Sequence, residues 1–132
     1  MAAVALGYRM VQDIPAQIEN HISHADDWHE VQILQVPQNP LAEVLKNKSD
    51  HMMIYSFHHQ AIAFTSQGPL QELAKASDGV VEATGLKNGR GLFLQFHPEL
   101  MENELGHQIL RQVVVEKNRV GANIGGFCSK AL

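Results

Sequence analysis

His97, Pro98 and Glu99 set an imidazole and a carboxylate two positions apart, at the end of the apolar run Leu92-Phe93-Leu94-Gln95-Phe96. In an extended segment the side chains at i and i+2 point the same way. Pro98 steers His97 away from the helical region and so favours that extended form. A carboxylate beside an imidazole fixes its tautomer and orientation, which is half of a catalytic triad. The plainer reading is a helix start, with Pro98 at the first position and Glu99 at the positive end of the helix dipole. The strand before and the helix after favour chemistry, because catalytic groups of α/β folds gather at the carboxyl ends of strands.

Other residues offer weaker chemistry. His58 and His59 are adjacent, so on a strand they face opposite ways and do not readily share a metal. His24-Ala-Asp-Asp-Trp-His29 puts two imidazoles and two carboxylates in six residues, but the spacing matches no strong metal signature and polar loops share this composition. No metal site and no cofactor is assigned from the sequence. Met10, Met52, Met53 and Met101 read as core filler. Cys128 is the single cysteine. A nucleophile elbow needs a strand before it and a helix after it, and Cys128 has four residues after it. It reads as an ordinary tail thiol.

The elements that must position these groups are mixed. The apolar start, Met1–Leu6, reads as helix tail ended at Gly7. Pro15 sits at a helix start before Ala16-Gln17-Ile18. Residues 20–27 read as a polar loop. Val31–Val36 alternates and predicts a strand closed by Pro37. Pro40–Lys46 has helical spacing. Met52–Tyr55, Leu73–Ala76, Val80–Thr84 and Leu92–Phe96 predict further strands. Asp78-Gly79 and Asn88-Gly89 supply tight turns between the last three. Residues 102–120 give the longest helical pattern, with Leu105, Ile109, Leu110, Val113 and Val114 on one stripe. There is no repeat and no linker. Residues 1–120 read as one α/β unit and residues 121–132 as a flexible tail.

Composition removes several function classes. The chain has 132 residues, 45% hydrophobic and 18% charged, enough for one domain with a core. Net charge is −4, with 10 basic and 14 acidic residues and no basic stripe, so nucleic acid is not the expected partner. No apolar run approaches the roughly 18 residues of a membrane helix. The start lacks the basic region of a signal peptide. One cysteine excludes an internal disulfide and fits a reducing compartment, so the expected location is cytoplasmic.

Three segments then converge: Tyr55-Ser-Phe-His-His-Gln-Ala-Ile62, Ser77-Asp-Gly-Val-Val-Glu-Ala83 and Leu92-Phe-Leu-Gln-Phe-His-Pro-Glu99. Their order closely resembles the C-terminal half of class I glutamine amidotransferase-like hydrolases, the γ-glutamyl-γ-aminobutyrate hydrolase branch in particular. Val4-Ala-Leu-Gly7 and Gln12-Asp-Ile-Pro15 also look like that branch, so the resemblance runs from about Val4 to Met101. It implies an α/β class, a partial Rossmann-like class I glutamine amidotransferase fold lacking its N-terminal half. It implies a Cys-His-Glu triad in which His97 is the catalytic histidine and Glu99 its orienting carboxylate. Phe57 and His58 would lie beside the substrate's glutamyl group. The substrate would be a small γ-glutamyl amide, cleaved through a glutamyl thioester without a cofactor.

The family's Gly-x-Cys-x-Gly elbow is not among these 132 residues, and Tyr8-Arg9 stands where a Gly-Thr-like turn is usual. The sequence therefore leaves three expectations. One is the C-terminal portion of a γ-glutamyl amide hydrolase, inactive by itself. Another is a non-catalytic interaction protein of the same origin, forming a homo-oligomer or pairing with a full-length relative. The third is a small metal-binding protein using His24, His29, His58 or His59.

Overall fold

The computed structural model describes residues 2–46, 48–120 and 127–129. A six-stranded sheet, ordered β3-β2-β5-β6-β7-β8, forms its centre. The strands are β2 (Ala25–Ile33), β3 (His51–Phe57), β5 (Leu70–Ala76), β6 (Val81–Leu86), β7 (Leu92–Leu94) and β8 (Phe127–Ser129). Two short strands that alternation did not reveal, β1 (Arg9–Val11) and β4 (Ala61–Ala63), pair beside it.

Within the expected partial Rossmann-like fold, this part of the sheet is mostly antiparallel. Every neighbouring pair from β3 to β7 is antiparallel, and only β7 and β8 run parallel. For β5, β6 and β7 the turns dictate this. Gly79 and Gly89 both have φ above +80°, and each closes a tight reversal between consecutive strands. Such a connection cannot return a strand parallel to itself.

Residues 25–27 do not belong to the loop that their polarity suggested. β2 begins at Ala25, and a bulge between Ala25 and Asp27, with Asp26 at φ +57°, resets the alternation. His29, Val31 and Ile33 consequently face inward, while Trp28 is exposed. Inward His29 on an otherwise polar stretch is what hid the strand.

The helices are α1 (Ala2–Ala5), α2 (Ile14–Gln17), α3 (Pro40–Val44), α4 (Pro98–Met101) and α5 (Glu104–Val120). Gly7 follows α1 at φ +93°, as a C-terminal glycine should. Asn39 caps α3 by accepting from the Leu41 N–H at 3.1 Å. The amide of Asn39 also donates to the carbonyls of Leu34 and Leu73, at 2.8 and 3.0 Å. One buried side chain thus ties α3 to the β2 exit and to β5.

The core draws Val31, Ile33, Met52, Ile54, Leu73, Leu92, Leu94 and Phe96 from the sheet and Ile14, Leu41, Met101 and Ile109 from the helices. Met52 and Met101 fill it as expected, but Met53 is exposed on the other face of β3. Cys128 belongs to β8, within the stretch expected to be a tail; its side chain and residues 121–126 and 130–132 lie outside the described parts.

Candidate active site

His97 sits where β7 gives way to α4. Its φ and ψ of −117° and 87° place it at the N-cap, and Pro98 opens the helix. The two readings of the tripeptide therefore coexist: the segment is a helix start, and it also brings the two side chains together. Glu99 lies in the first helical turn rather than on an extended strand. The His97 Nδ1 is 2.7 Å from the Glu99 Oε1. An ionised carboxylate only accepts, so Nδ1 carries the proton and Nε2 is the nitrogen that can take one. The His97 side chain is 12% exposed and that of Glu99 44%. The ring is held by its surroundings while its partner reaches solvent.

The backbone fixes this turn from both sides. The His97 N–H donates to the Tyr55 carbonyl at 3.0 Å, and the Gln95 N–H to that of Glu82 at 2.8 Å. Phe96 between them is fully buried. Phe57, two residues beyond Tyr55 on β3, presents an exposed ring. His58 turns inward and is buried, while His59 faces out, as adjacent extended residues should.

His58 belongs to a second group that the sequence did not assemble. Buried Glu82, on β6, is met by three imidazoles. Its Oε1 lies 2.8 Å from His24 Nδ1, 3.4 Å from His29 Nε2 and 3.3 Å from His58 Nε2. Asp78, in the β5–β6 turn, holds the far side of His24 at 2.7 Å and also accepts the Ile22 N–H. Burial opposes the Glu82 charge, but the three imidazoles outweigh it and hold the carboxyl below its ordinary range. Asp78 is likewise lowered: His24 and the N–H groups of Ile22 and Val80 outweigh its burial. Burial opposes a charge on His24, yet Glu82 and then Asp78 raise it above the ordinary imidazole value. The missed signal was Glu82 itself, a carboxylate inside the apolar run Val80-Val81-Glu82-Ala83. A charge in a buried strand needs partners.

A profile of the peptidase C26 family matches residues 1–99. The chain belongs to the peptidase C26 family. It is 34% identical over 100 residues to the glutamine amidotransferase-like protein YvdE of Lactococcus lactis, a match covering 73% of this chain and 40% of YvdE. The chain thus spans well under half of that relative's length. The fold matches a GMP synthase subunit from Thermoplasma acidophilum, with TM-score 0.63 and 14% identity, over 91% of this chain and 56% of that one. It also matches a glutamine amidotransferase from Methylobacillus flagellatus, with TM-score 0.52 and 17% identity, over 89% of this chain and 38% of the other. The class I glutamine amidotransferase-like fold is therefore present over part of its extent. Among the described residues no helix is long and apolar enough to cross a membrane.

Proposed function

We propose that this chain supplies the proton-transfer half of a γ-glutamyl amide hydrolase site. The observation that carries the reading is the 2.7 Å contact of Glu99 with His97 Nδ1 at the end of β7. In the reaction, His97 Nε2 takes the proton of a cysteine thiol. The thiolate attacks the γ-carbonyl, and His97 returns the proton to the leaving amine. Water, deprotonated by the same nitrogen, then attacks the thioester, releases glutamate and restores the thiol. Glu99 fixes the tautomer and steadies the imidazolium. Phe57, close along β3 to the His97 contact at Tyr55, offers an apolar wall for the glutamyl methylenes. His58 acts beside it from within, as part of the support.

No Gly-x-Cys-x-Gly elbow occurs in the 132 residues, so the chain alone should release no glutamate from glutamine or a γ-glutamyl anilide. Loss of a nucleophile costs on the order of 10⁶ in turnover in a comparable hydrolase. The positive test grafts residues 4–101 in place of the matching segment of a peptidase C26 enzyme with measured γ-glutamyl hydrolysis. The chimaera should hydrolyse the amide, and His97→Ala should abolish it. A folded chimaera whose turnover ignores His97→Ala would refute the reading.

A second reading has its own support. Trp28, Met53 and Phe57 are exposed on the β2–β3 pair. They suit a non-catalytic interaction role, by self-association or with a relative of the same fold.

A further inference from the structure

We propose that His24, His29 and Glu82 bind a divalent transition metal, zinc being the best fit, with the fourth position left to water. The ligand atoms of the first three all lie within 4.8 Å of one another, and all three residues are buried. Tetrahedral zinc with ligands at about 2.0–2.1 Å spaces them about 3.3 Å apart. His29 Nε2 stands 3.4 Å from Glu82 Oε1, and His24 Nδ1 is closer, at 2.8 Å.

Proton positions strengthen the case. His24 Nε2 faces the Asp78 carboxylate at 2.7 Å, so it carries a proton. The inner nitrogens, His24 Nδ1 and His29 Nε2, both face Glu82 Oε1, at 2.8 and 3.4 Å, and a metal would take the place of the protons they share with it. Among the described residues, Glu82 Oε2 makes no hydrogen bond, although the side chain is fully buried. Asp78 behind His24, and the Glu30 carbonyl 3.3 Å from His29 Nδ1, are the outer partners that metal-binding imidazoles ordinarily have. One contact competes: Ser56 Oγ is 2.8 Å from His29 Nε2 and must turn away when metal binds.

The site would pin the β2 entry and β2 to β6, and β6 holds the approach to the His97 turn through the Glu82 carbonyl. Its role is structural, because the donors are enclosed.

The test uses untagged protein stripped with chelator. Zinc titrated calorimetrically should bind at one equivalent and raise the Tm. Cobalt(II) should give the absorption bands of a tetrahedral nitrogen and oxygen site. His24→Gln and Glu82→Gln should each weaken zinc at least about 100-fold, and Asp78→Asn about 10- to 100-fold. Ser56→Ala should bind at least as tightly as the parent, since a competitor is gone. The metal-free variants are checked by circular dichroism, so a misfolded one is set aside without affecting the parent measurement. Absence of a one-equivalent site in the parent overturns the proposal. So does binding that ignores His24→Gln and Glu82→Gln but is lost when the exposed His21, His51 and His107 are replaced.

Discussion

The Gln95 N–H donates to the Glu82 carbonyl at 2.8 Å, two residues before His97. The strand that delivers the candidate base is thus registered on the residue at the centre of the buried imidazole cluster. Phe96 locks the register from the core side, being fully buried. Phe96→Ala should cost about 3–5 kcal/mol of stability. Phe96→Leu should cost far less, since it keeps most of the volume. Urea unfolding of the two variants checks the ranking. Equal losses would mean that the site is held by backbone contacts alone.

The orienting role of Glu99 is open to direct observation. Its carboxylate makes Nδ1–H the expected tautomer of neutral His97. Long-range proton–nitrogen spectra above the imidazole range should show that form. In Glu99→Ala the ring should move toward the Nε2–H form. An unchanged spectrum would remove Glu99 from the orienting role.

Much of this was legible in the sequence. The pair His97 and Glu99 could be found because two chemical types and a proline sit within three residues. The hairpins β5–β6–β7 followed from Asp78-Gly79 and Asn88-Gly89. What was not legible was long-range. His24, His58 and Glu82 are separated by up to 58 residues, and nothing local says that a sheet will bring them together. β2 was read short because the Asp26 bulge breaks a period-two pattern. β1 and β4 are three residues each, too short for alternation to register.

Gly106 marks a close approach of α5 to α4. A Cβ there would lie 2.6 Å from the Pro98 carbonyl oxygen and 3.1 Å from Met101 Cβ. In an exposed helix, glycine to alanine would stabilise by about 1 kcal/mol. Here backbone oxygen must yield, so Gly106→Ala should destabilise by about 1–3 kcal/mol. It should also disturb the spectrum of His97, which opens α4. Denaturant midpoints give the sign, and a stabilised variant would show that the two helices part without cost.

Asn39 supports a sharper contrast. Its amide donates to two carbonyls while its oxygen caps α3. Asn39→Ala loses the cap, worth about 0.5–2 kcal/mol, and leaves buried carbonyls unpaired at about 1–3 kcal/mol. Asn39→Asp keeps the cap but turns a carboxylate oxygen toward those carbonyls. It should be the worse variant at neutral pH. Its folded form takes up a proton more readily than its unfolded form, so its penalty shrinks as pH falls toward the carboxylate range. Urea midpoints at neutral and mildly acidic pH decide this. An Asn39→Asp penalty that does not change with pH would contradict the assigned amide orientation.

Association is the final expectation. β3 is an edge strand of the six-stranded sheet, while β7 is flanked by β6 and β8. β3 and β8 are the two terminal strands, and on the β3 edge the Tyr55 carbonyl accepts the His97 N–H. There Met53 and Phe57 expose about half their surface, at 47% and 52%, and Trp28 on β2 packs edge-on to Tyr55 while 41% exposed. An apolar edge promotes pairing with another chain, and lysine on such an edge opposes it. The protein should self-associate in a concentration-dependent way. Met53→Lys or Phe57→Lys should shift it toward monomer with little loss of stability, because neither side chain is in the core. Sedimentation velocity over a concentration series reads this directly. A parent that sediments as a monomer throughout would show that the β3 edge is protected without a partner, and the interaction reading would lose its support.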